Sequence, residues 1–151
     1  MAKAIQWDET ATAAMNARRK LPGMAREYFA EGRAVLAGKG SPAAFHRLRL
    51  RTKRLRYTLE LFRPCYGPGL DQRLNALRRA QQILGDLNDC AAAGRLIEGL
   101  LPPRSPQRLR LKRFLDGRAR RIVAEFRQFW TTQLDAPGQE QAWRAYLARI
   151  T

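Results

Sequence analysis

Four side chains in the stretch AFHRLRLRTKRLRYTLELF, residues 44–62, could do chemistry together: His46, Arg49, Lys53 and Arg56. Their spacing is i, i+3, i+7, i+10. On an α-helix this puts them in one line about 15 Å long, at 1.5 Å per residue. A row of guanidinium and ammonium groups at that pitch suits an extended chain of anions better than one small anion. Glu60 closes the line one turn on and is spaced to pair with Arg56. A second charged stripe, Arg47, Arg51 and Arg54, runs along another side of the same segment. Each residue also has a plainer reading, because arginines on a helix are usually solvated and a lone histidine is usually packed or exposed. Periodicity alone leaves the face open between these readings.

The charge of the whole chain favours a polyanion as partner. Twenty-nine Lys and Arg stand against thirteen Asp and Glu, a formal +16. Such an excess resists compaction by self-repulsion, so it points to nucleic acid, an acidic membrane surface or an inorganic polyanion.

The elements that must position the stripe follow from turn residues. At 151 residues the chain reads as one domain, residues 1–151, large enough to hold a core without disulfide or metal. Leu, Ala and Arg dominate, which favours helix, and no strand-like alternation is present. The first helical segment runs from about Asp8 to Gly38, with a break expected at Leu21-Pro22-Gly23. Ser41 caps the next helix with Pro42 in its first turn, and that helix stops at Phe62 or Arg63, before Pro64. A third runs from about Leu70 to Leu100. Ser105-Pro106 repeats the capping device and opens a fourth, to roughly Gln133. Asp135-Ala136-Pro137-Gly138 then isolates a short helix, Gln139 to Ile150. The expected fold is all-α: an antiparallel four-helix bundle with a short extra C-terminal helix.

Within it, Leu48, Leu55, Leu59 and Phe62, with Thr52 beside them, form one apolar seam. Leu50, Tyr57 and Leu61 form a second, expected to meet another neighbour. Leu111, Leu115, Ile122, Phe126 and Phe129 form the core stripe of the fourth long helix. Phe62, Phe114, Phe126 and Phe129 all read as core. Cys65 and Cys90 lack motif spacing and read as two reduced, partly buried thiols. No apolar run is long enough to span a bilayer, and the N-terminal residues lack a signal-peptide pattern. The expected location is the cytoplasm.

The stretch resembles the signature helix of the CHAD family, helical proteins that bind inorganic polyphosphate. The family pattern of His, Arg, a basic residue and Arg is matched by His46, Arg49, Lys53 and Arg56. LRYTLELF (Leu55 to Phe62) is similar too, as are Gln81, Gln82, Leu84-Gly85 and Leu87-Asn88-Asp89. FRQFW, Phe126 to Trp130, resembles the family's closing helix, so the resemblance spans roughly residues 25–130. It implies that His46 adds a phosphate-facing donor whose charge depends on pH, beside the permanent charge of its neighbours. Family members commonly carry two four-helix units about a pseudo-twofold axis. This chain has length for one, which implies a homodimer or a half-sized groove.

Further candidates for the polyphosphate surface are Arg78, which shares a flank with Gln81, Gly85, Asn88 and Asp89, and Arg113, Arg120 and Arg127 at seven-residue spacing. Arg18-Arg19-Lys20, Arg26 and Arg33 are placed less well. Glu60 and Asp89 are candidates for orienting arginines, or else for ordinary salt bridges. Gly85, interior to a helix, suggests a close helix approach. A nucleic-acid binder would share the charge but should expose base-stacking aromatics. Nucleic acid is therefore the alternative partner and competitor. An enzyme is disfavoured, because no metal-ligand cluster, phosphate-cradling Gly-rich loop or nucleophile–base set is evident. The expectation is binding without catalysis, with no cofactor, no metal and no membrane span.

Overall fold

Two serines open two of the long helices in the same way. Ser41 Oγ accepts from the Ala44 N–H at 3.2 Å and Ser105 Oγ from the Arg108 N–H at 3.4 Å. Each is followed by a proline whose missing N–H falls where no helical partner exists. In the computed structural model, which describes residues 3–149, the elements are α1 (Ala13–Ala37), α2 (Pro42–Leu61), α3 (Arg63–Tyr66), α4 (Leu70–Leu100), α5 (Pro106–Phe129), a π-helical turn (Trp130–Leu134) and α6 (Gln139–Leu147). The described residues contain no strand. The expected end of the last helix at Ile150 lies outside them.

The fold is all-α. α2 packs between α1 and α4, α5 lies against α4, and α6 lies against α1. Three features depart from expectation. α1 is continuous through Pro22, with Leu21 and Ala25 fully buried on either side. The proline removes one i→i−4 hydrogen bond, and packing of its flanks holds the helix together. The connection after α2 holds a short helix of its own, α3. The fourth long helix ends its α-helical course at Phe129 and relaxes into the π-helical turn.

The first seam of α2 is buried as expected, including Thr52. The Thr52 hydroxyl donates to the Leu48 carbonyl at 2.8 Å and accepts from Tyr28 at 3.0 Å, tying α2 to α1. Burial pushes the ionisation of the Tyr28 phenol upward. The second seam is not a seam. Leu50, Tyr57 and Leu61 are 49%, 52% and 73% exposed. α1 and α4 both approach α2 from the flanks of the Leu48 face, so the opposite face is left to solvent.

The two long helices also outrun the rest of the fold. In α5, Ile122, Phe126 and Phe129 are buried, whereas Leu111 is exposed and Phe114 is 60% exposed, against expectation. Among the described elements α5 packs chiefly on α4, which leaves Leu111 and Phe114 uncovered. Near the other end, Gly32 is required by contact: a Cβ there would run into the Trp130 indole. Cys65 and Cys90 are both free thiols, half-buried and buried.

Candidate functional site

The side of α2 that faces α4 carries His46, Arg49, Lys53 and Arg56, and α4 answers with amides. Asn88 Oδ1 lies 3.1 Å from His46 Nδ1. Because an amide oxygen only accepts, Nδ1 carries the hydrogen, and Nε2 becomes a donor only when the ring is cationic. Two turns lower on α4, Gln81 Oε1 accepts from Arg56 Nε at 2.9 Å. The Arg56 side chain is well enclosed, 15% exposed. It also donates from Nη1 to Glu60 at 2.8 Å, and its guanidinium lies over the Tyr57 ring at 4.4 Å.

Arg49 sits between these two anchors, beside Gly85. Its Nε is buried with no acceptor among the described residues. A buried N–H without a partner costs about 1–3 kcal/mol, so within the line this atom has the most to gain from a ligand oxygen; Arg73 Nε, remote from the line, is buried in the same way. Lys53 is half-buried and, among the described residues, makes no hydrogen bond or ion pair. Gly85 does not reflect the close helix approach that the sequence suggests: a Cβ there would meet only Arg49 Nε, at 3.9 Å, an ordinary contact.

Glu60 bridges two helices. It pairs with Arg56 at 2.8 Å and with Arg78 of α4 at 3.1 Å, and Arg78 also donates to Asn75. Arg78 is thereby drawn to the end of the line. Asp89, the other candidate for orienting an arginine, is exposed and pairs with nothing among the described residues. One residue further round α4 than Asn88, it is turned away from α2.

Arg120 of α5 lines a groove that also reaches His46, whereas Arg113 does not. Arg127 donates to the Leu36 carbonyl of α1 at 3.0 Å, so its charge is tied to the fold. Among the weaker candidates, Arg33 is held by Asp135 and Glu140, and Arg19 pairs with Asp8. The hydrogen bond to Asp135 strengthens the hold of Arg33 on its proton.

The other stripe of α2 is differently placed. Arg51 pairs with Glu31 of α1 at 3.0 Å, and Arg54 donates to the Lys3 carbonyl at 2.8 Å. Only Arg47 of this set has no partner among the described residues. No described helix is long and apolar enough to cross a membrane.

Comparison with curated proteins and with solved structures yields no match. The model of one family, the CHAD domain, matches residues 2–98. That span takes in α1, α2, α3 and nearly all of α4, the elements that build the stripe and its amide partners, and it stops short of α5 and FRQFW. The chain belongs to the CHAD domain family.

Proposed function

We propose that this protein binds inorganic polyphosphate along the groove between α2 and α4, without chemistry. The observation that carries the reading is the line of His46, Arg49, Lys53 and Arg56, oriented by neutral amides and retaining unspent donors, in a chain of a polyphosphate-binding family. A flexible chain of phosphates lying along the line would place an oxygen on Arg49 Nε, meet Lys53 at the centre and reach Nε2 of a cationic His46. Arg78 and Arg120 extend the path at either end, and Arg113 adds long-range attraction. Glu60 acts by holding Arg56 and Arg78 together. Counterions released from the polyanion drive much of the association, so affinity falls steeply with salt.

A homodimer is part of this reading, since two chains side by side would double a groove of which one chain supplies a single stripe. A solution mass of one chain, with and without polyphosphate, would remove that part. The reading itself is tested by competition at physiological salt between long-chain polyphosphate and duplex DNA or RNA of equal charge. Polyphosphate is expected to win. Exposed Phe114 is the one large aromatic on the arginine-rich α5 that could stack a base, so a nucleic-acid victory lost on Phe114→Ala would favour the alternative.

A further inference from the structure

Beyond the end of α1 at Ala37, α4 and α5 continue side by side with an open groove along them, about 1010 Å³ in volume. Its floor is apolar: Phe45 of α2, Leu84, Leu87 and Ala91 of α4, Leu115 and Val123 of α5. Its rim is basic. Lys39, Arg95, Lys112, Arg120 and Arg127 outnumber Glu98 and Asp116, and Glu98 is already taken by Lys112 at 2.8 Å. Lys39, Arg95 and Arg120 make no hydrogen bond or ion pair among the described residues, although Arg95 lies near enough to Glu98 to favour its charged form.

The position of the groove suggests the shape of its occupant. Arg127 ties the last turn of α1 to α5, and the Gly38–Gly40 turn forms the near wall. The groove therefore continues the lane that α1 fills lower down, where a helix lies beside α2 and near α5. From Leu84 to Glu98 the floor follows α4 for about 21 Å, roughly four helical turns.

We propose that this groove docks an amphipathic helix of a partner protein, with an apolar face on the floor and acidic flanks against the rim. A phosphate chain does not fit the floor, which would desolvate its charges without pairing them. A second copy of this chain is disfavoured here by charge, because each copy carries +16 and would bring cations to a cationic rim with no polyanion between them, unlike a dimer that shares a phosphate chain. The inference does not depend on the polyphosphate reading, although His46 and Arg120 stand at the edge of both surfaces.

The test uses the full chain and a fluorescein-labelled 18-residue peptide of Leu, Ala and Glu, with Leu at i, i+3, i+4 and i+7 spacing. A scrambled peptide of the same composition keeps the charge and loses the stripe. The striped peptide is expected to bind at least tenfold more tightly. Ala91→Trp, which fills the middle of the floor, should cost that binding at least tenfold and leave polyphosphate affinity within twofold. Lys39→Glu with Arg95→Glu should weaken it similarly, and this pair carries the test if Ala91→Trp lowers the melting temperature. Equal binding of the two peptides, or indifference to both variants, would overturn the proposal. So would displacement of the striped peptide by micromolar dodecanoate, which would make the groove a lipid site. A dimer that Ala91→Trp converts to monomer would give the groove to a second copy instead.

Discussion

The two flanks of α2 carry the same number of permanent cations and use them in different ways. On the α1 side, Arg51 is spent on the carboxylate of Glu31 and Arg54 on a backbone carbonyl. On the α4 side the fixed partners of the line are chiefly neutral: Asn88 for His46, Gln81 for Arg56, and, among the described residues, nothing for Arg49 Nε or Lys53. An amide orients a cation without cancelling its charge, whereas a carboxylate does both. One flank holds the fold together, and the other stays electrostatically open to an anion. Glu60 is the exception, and it divides itself between two arginines at the end of the line.

The largest expected effect comes from emptying each flank in turn. Replacing Arg49, Lys53 and Arg56 by Ala should cost polyphosphate binding several kcal/mol, since hydrogen bonds to charged groups contribute about 1.5–3 kcal/mol each. Replacing Arg47, Arg51 and Arg54 removes the same +3 but acts only through long-range attraction, which salt screens. The measurement is polyphosphate affinity by titration calorimetry at 150 mM salt, after both variants show wild-type helicity. Equal losses would erase the distinction and leave a uniformly adhesive surface.

A finer way to break the comparison is to give the open flank the chemistry of the closed one. Gln81→Glu and Asn88→Asp keep the acceptors in place and add charge. Each should weaken polyphosphate binding by about 1–2 kcal/mol, five- to thirtyfold, by placing a negative charge in the line. Gln81→Leu would lose orientation instead, so comparing it with Gln81→Glu separates charge from geometry. If the carboxylate variants bind as tightly as wild type, the neutrality of the amides is irrelevant.

The converse substitution, Glu31→Gln, should change little. The Arg51–Glu31 pair is partly exposed, and such pairs contribute roughly 0–1 kcal/mol to stability. A melting-temperature decrease of up to about 3 °C is expected from that loss in a chain of this length. Polyphosphate affinity should stay within twofold. A large gain in affinity would mean that Arg51 reaches the ligand once released.

Much of this arrangement is written in local sequence, and the rest depends on neighbours. Ser41-Pro42, Ser105-Pro106 and both ends of α4 are legible because caps and glycine or proline stops act within a turn. The Leu48 seam and the Arg56–Glu60 pair follow from helical periodicity alone. Pro22 misleads, since the propensity that would break α1 is overridden by the burial of Leu21 and Ala25. Leu50, Tyr57, Leu61 and Phe114 mislead for the opposite reason: apolar side chains are core only where another element covers them, and sequence does not state where α1 stops alongside α5. Asn88 and Asp89 are equally polar and adjacent, but a 100° step sends one towards His46 and the other to solvent.

Glycines give the sharpest contrast of this kind, and the last prediction rests on it. Gly85 draws attention because it interrupts α4 beside the open flank, whereas Gly32 in α1 carries no such signal. The contacts reverse their importance: Gly32 faces Trp130 with no room for a Cβ, and Gly85 has only Arg49 Nε at 3.9 Å. Gly85→Ala should therefore stabilise the protein by up to about 1 kcal/mol through helix propensity, raising the melting temperature by about 2–4 °C. Polyphosphate affinity should remain within twofold, because the added methyl touches the Arg49 side chain at normal contact distance without displacing it. A stabilised variant that loses affinity tenfold would show that the groove floor at position 85 is itself occupied by the phosphate chain. The line of cations would then be the wall of the site, and its floor would lie on α4.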